Sequence, residues 1–95
     1  VSINNKAYYV YASLGVAYSK LGMSAEARES FQYAIDSDDE WAQAMAHYGL
    51  GEMLEKENKI PAALAQYQQT LWLDPHFYSA QKRIDKLLQL HPDLP

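Results

Sequence analysis

The chain has 95 residues, enough for one domain, and its 48% apolar and 21% charged content excludes a disordered composition. Twelve acidic residues against eight basic ones give a net charge of −4, which leaves no general phosphate-binding surface and argues against nucleic acid. There is no Cys, so disulfides and thiolate metal sites are excluded, and no apolar run approaches the ~18 residues of a membrane span. A chain that opens at Val1 rather than Met reads as a fragment or processed product, so a missing leader says little; the cytoplasm is preferred and the periplasm stays open.

In chain order, residues 1–7 form a short N-terminal segment, and a helix is expected from Tyr8 to Leu21. Its stripe is Tyr11, Leu14, Tyr18 and Leu21, spaced for one face of a 3.6-residue helix. Gly22 suits the left-handed position that ends it. Ser24 is the expected N-cap of a second helix striped by Ala27, Phe31, Ala34 and Ile35. Asp38, Asp39 and Glu40 suit the positive end of a third helix, which carries Met45, Leu50, Met53 and Leu54. Asn58 repeats the turn role of Gly22, and Pro61 falls in the first turn of a fourth helix with Leu64, Tyr67, Leu71 and Trp72. Asp74-Pro75 breaks that helix. A fifth runs from about Phe77 to Leu90 on Ala80, Ile84, Leu87 and Leu88, and Pro92 stops it.

The chain repeats itself. An offset of 36 residues carries Leu14-Gly15 to Leu50-Gly51, Tyr18 to Leu54, Lys20 to Lys56, Gly22 to Asn58, Ala27 to Ala63 and Phe31 to Tyr67. Glycine inside a helix costs about 1 kcal/mol against alanine, and here the cost falls twice at one register. Close approach of a paired helix explains it, with Ala27 and Ala63 as the facing small residues and Tyr18, Phe31 and Tyr67 filling the space beside them. Gly15→Leu would then overpack the pair by about 1–3 kcal/mol.

These residues resemble the tetratricopeptide repeat, a helix-turn-helix unit of ~34 residues. Tyr11, Leu14, Gly15, Tyr18, Ala27, Phe31 and Ala34 carry the resemblance in a first repeat, 8–41. Leu50, Gly51, Ala63, Tyr67 and Pro75 carry it in a second, 42–77, and residues 78–95 resemble the closing helix and tail, its Gln81, Lys82, Arg83, Asp85, Lys86 and Gln89 giving a polar end. The chain departs from the pattern at Asp39, where the family has Pro, at His47, where it has an aromatic, and at Thr70, where it has Ala. Two extra residues near Ala42 and Gln43 stretch the period to 36, a spacing also similar to the Sel1-like repeat. The tetratricopeptide reading is preferred because Asp74-Pro75 and the turn spacing fit it.

The resemblance implies an all-α fold of antiparallel helix pairs in a right-handed superhelical stack, two repeats plus a capping helix. It implies a binding scaffold, not an enzyme, with no cofactor and no metal. The first helix of each pair would line a concave groove for a peptide or helix of a partner protein. By register the candidates are Tyr9, Ala12 and Val16, then Met45, Tyr48, Glu52 and Glu55, then Lys82 and Lys86; Ser19, Ser79 and Gln89 share those faces. Glu52 could instead simply pair with Lys82 or Lys86. Family members that grip a chaperone's C-terminal carboxylate use Lys, Asn, Asn, Lys and Arg; Ala12, Val16, Gly49, Ser79 and Arg83 stand there, and only Arg83 fits, so that clamp is not expected. Tyr8, Tyr9, Tyr11 and Tyr18 crowd the first helix. An upstream repeat or a second copy of the chain would cover that face, which makes a self-association or spacer module the alternative function.

His47, His76 and His91 lack metal spacing, and His47 reads as a packing residue. The Asp36, Asp38, Asp39 and Glu40 run lacks the spacing of a calcium loop and reads as a solvated helix start. Lys82, Arg83 and Lys86 make the last helix basic, which the helix dipole favours without a ligand.

Overall fold

The computed structural model describes residues 4–94, with side-chain surroundings from Tyr8 onward. Five α-helices follow one another: α1 (Asn4–Lys20), α2 (Ser24–Ile35), α3 (Glu40–Lys56), α4 (Ile60–Leu73) and α5 (Tyr78–Leu90). No strand occurs among the described residues. The first helix begins earlier than the tyrosine pattern indicates, so residues 4–7 belong to it, while residues 1–3 of the N-terminal segment lie outside the described residues.

The two tight turns are built alike. Gly22 has φ +77° and Asn58 φ +60°, the left-handed region that Gly and Asn enter most cheaply. At the first, the N–H of Met23 bonds the carbonyl of Tyr18 at 2.9 Å; at the second, the N–H of Lys59 bonds that of Leu54 at 2.8 Å. These bonds satisfy carbonyls that the end of a helix would leave unpaired, and they fold the next helix straight back. Met23, not Ser24, is therefore the N-cap of α2, and no side chain caps it, because the turn has already used the residues before Ser24. At α3, Asp39 is the cap: its carboxylate accepts from the N–H of Trp41 at 3.0 Å and of Ala42 at 3.3 Å. Pro61 occupies the first turn of α4, as its missing N–H allows.

Helix α1 packs on α2 and α3 on α4, α3 also lies against both helices of the first pair, and α5 packs on α4. The result measures 48 × 28 × 16 Å, the shape of pairs laid side by side. One core gathers Ala12, Ala27, Phe31 and Ala34 with Ala42, Ala46 and Met53 of the next pair. A second gathers Ile60, Ala63, Leu64 and Tyr67 with Ala80, Ile84 and Leu87.

The glycines do face a neighbour, but the neighbour is aromatic. A Cβ on Gly15 would lie 2.4 Å from Phe31 Cε1, and one on Gly51 2.5 Å from Tyr67 Cε1. The rings, rather than Ala27 and Ala63, lie against the helix backbone; those alanines are buried in the cores beside them. The ring of Phe31 also meets a glycine of the second pair, Gly49, whose Cβ would stand 2.3 Å from Cζ. Phe31 thus packs within its own pair and between pairs at once.

Four expected stripe residues are not core. Leu14, Leu21, Trp72 and Leu88 are exposed, because Ala12 and Gly15 turn inward on α1, Tyr67 and Thr70 on α4, and Ile84 and Leu87 on α5. Thr70, which departs from the repeat pattern, is fully buried with its hydroxyl 3.2 Å from the carbonyls of Ala44 and Gln66, so the extra polar atom is satisfied between α3 and α4. His47 also joins those helices, its Nδ1 2.7 Å from Gln66 Oε1. Gln43, one of the two extra residues, donates its side-chain amide to the carbonyl of Ser37 and holds the α2–α3 connection. The pairs are tied outside the core by Arg28 of α2, whose Nη2 reaches both carboxylate oxygens of Glu57 at 2.8 Å. That bond holds the Glu57 carboxyl below its ordinary pKa.

Candidate partner-binding groove

Because α3 sits against the first pair and α5 against α4, the inner sides of α1, α3 and α5 bound one groove. Its enclosed part has a volume of about 190 Å³. Val16, Ser19 and Lys20 of α1 form one wall; Gly49, Glu52, Glu55 and Lys56 of α3 form the middle; Arg83 of α5 closes the far side, and the buried ring of Phe31 from α2 underlies the floor beside Gly49. Small-molecule pockets usually enclose ~300–1,000 Å³, so this space fits one or two side chains of a larger partner.

The far side is an ordered charge network. Arg83 Nη2 donates to Glu52 Oε2 at 2.9 Å, and Nη1 lies 3.5 Å from both oxygens of Glu55. The hydroxyl of Tyr67 donates to Glu55 Oε1 at 2.7 Å. Burial, reinforced by this bond, pushes the Tyr67 phenol far above its ordinary pKa and keeps it a donor. With both carboxylates engaged, the guanidinium is already neutralised and is a poor receptor for an incoming carboxylate. Lys20 and Lys56 at the near end make no ion pair among the described residues. The groove therefore carries a far end in which two carboxylates share one guanidinium, leaving it net acidic, and a cationic near end.

Towards the α4–α5 turn the surface becomes aromatic. The ring of Tyr48 lies 5.5 Å from that of Tyr67 and 5.0 Å from that of Phe77, and Trp41 lies 5.9 Å from Phe77, half exposed. These separations are within the range of favourable aromatic pairing.

Of the residues expected on the concave face, the structure brings together Val16, Glu52 and Glu55, with Tyr48 beside them. Ala12 is fully buried in the first core, since α2 and α3 close over its side of α1. Met45 packs on that same core instead of lining the groove. Tyr9 is exposed but lies outside the groove lining, one turn or more towards the N-terminus. Lys82 and Lys86 are solvent-exposed, and the partner of Glu52 is Arg83 instead. Lys20 and Lys56 stand outside the residues expected in the groove, and Gly49 is expected there only as an unmatched clamp position. A signal was present: Lys20 and Lys56 share the 36-residue offset, and Gly49, Glu52 and Lys56 stand three and four apart on one helix face. Comparison with protein-family models, curated proteins and solved structures finds no match to this chain.

Proposed function

We propose that this chain is a tetratricopeptide-type scaffold of two helix pairs and a closing helix, coiled right-handedly, that holds a peptide or helix of a partner protein in the groove between α1, α3 and α5. The observation that carries the reading is the lining itself: three non-adjacent helices contribute to one open trough, with a phenylalanine floor and polar side chains fixed by hydrogen bonds. A partner's apolar side chain would enter over Phe31 and Gly49, and its flanking acidic groups would meet Lys20 and Lys56. No group in the trough is assigned a chemical step. The function is binding, and the chain needs no cofactor for it.

The test is site-specific photocrosslinking in a native extract. A photoreactive residue at Ser19 or Lys56 should capture a partner; the same residue at Trp72, which is exposed on α4, should not. Val16→Arg, which fills the trough, should abolish the capture. Equal capture from Ser19, Lys56 and Trp72 would remove the groove from consideration.

A further inference from the structure

The 36-residue offset relates two faces with opposite fates. On α3, the residues Met45, Ala46, Gly49, Leu50 and Met53 are covered, and all five dock this helix against the first pair: four join its core or pack on it, and Gly49 meets the ring of Phe31. Shifted by 36, the same register on α1 is Tyr9, Val10, Ser13, Leu14 and Ala17. All five are exposed, Val10 at 51% and Tyr9 at 44%, and none is charged. The face is separate from the groove and from the reading proposed for it.

The stripe on α1 is thus a second copy of the surface with which α3 accepts a helix pair. We infer that it docks a helical hairpin, in the pose in which α1 and α2 meet α3, and that this hairpin bears an aliphatic or smaller knob where α2 bears Phe31. The knob follows from one substitution in the register. Phe31 fits over Gly49 only because there is no Cβ there: one would lie 2.3 Å from Cζ, 2.6 Å from Cε1 and 3.2 Å from Cε2 of the ring. Ser13 supplies that Cβ and a hydroxyl besides. The colliding atoms are the far half of the ring, which leucine or alanine lacks, so a shorter knob clears Ser13 where an aromatic does not. The occupant is therefore not a hairpin of this chain's own sequence. Nor does the other end of a second copy match it: Lys82, Asp85 and Lys86 stand on the exposed side of α5 among Tyr78, Leu88 and Leu90, and the uncharged stripe offers those charges no partner.

A tandem chain tests this: a copy of residues 1–36 fused directly before Val1, so that the offset continues and the copied Phe31 falls on Ser13. In the chain as it stands, Ser13→Gly should lower the thermal midpoint, because it weakens an exposed helix position. In the tandem chain the same change should raise the midpoint by admitting the ring. Leu14→Glu should then cancel the gain in the tandem chain and leave the single chain almost unmoved. The inference fails if Ser13→Gly shifts both chains in the same direction. It fails equally if the single chain sediments as a dimer that Leu14→Glu dissociates, which would make a second copy the occupant.

Discussion

The two helix pairs use one steric device and put it to different ends. In each, a ring from the second helix lies on a glycine of the first: Phe31 on Gly15, Tyr67 on Gly51. Phe31 has no polar atom, and its ring is shared with Gly49 of the next pair, so it serves the stacking of pairs and the floor of the groove. Tyr67 carries a hydroxyl, and that hydroxyl fixes Glu55, which with Glu52 fixes Arg83. One oxygen atom turns a packing residue into the anchor of a charge network. The comparison teaches that the first ring sets how the pairs meet and the second sets what the groove presents.

That contrast can be broken at several points. The largest effect is expected from Phe31→Ala, which empties the contact with two glycines and should cost about 3–5 kcal/mol in urea unfolding. Gly49→Ala comes next. Its methyl enters the ring of Phe31, an overpacking of about 1–3 kcal/mol, against which the better helix propensity of alanine returns up to about 1 kcal/mol. A stabilised Gly49→Ala protein would mean that Phe31 is free to move aside and that the pairs are not locked by it. Tyr67→Phe keeps the ring and removes only the anchor, so it should cost about 1–2 kcal/mol, with Glu55 left half-satisfied. It should also loosen the ordering of Arg83, visible as a sharper loss of its side-chain N–H signals in NMR.

The same tyrosine predicts a pH dependence. Its folded pKa lies above the unfolded value of about 10, so its contribution is whole below that pH. Above it the unfolded chain releases a proton that the folded chain keeps, and stability should decline. Urea midpoints taken from pH 8 to 11 should fall at the alkaline end, and less steeply in Tyr67→Phe. Arg83→Met should have the smallest effect on stability, within about 1 kcal/mol, because the pair it breaks is partly exposed. Its consequence belongs to binding: two freed carboxylates should repel an acidic ligand that the native groove tolerates.

Periodicity, composition and turn residues in the sequence determined the five helices, the left-handed turns at Gly22 and Asn58, the repeat, and the requirement that something press closely on Gly15 and Gly51. These are local matters, decided by backbone sterics and by which residues share a helix face. Only the tertiary structure decided what covers each face: that rings and not alanines meet the glycines, that Ala12 is inside while Leu14 is outside, that Arg83 and not Lys82 or Lys86 reaches Glu52. The physical reason is that a helix of 3.6 residues per turn rotates each successive side chain by about 100°, so residues one or two apart in sequence meet different neighbours. The crossing of α1, α3 and α5, a property of no single segment, selects which line is buried and which is left to meet a partner.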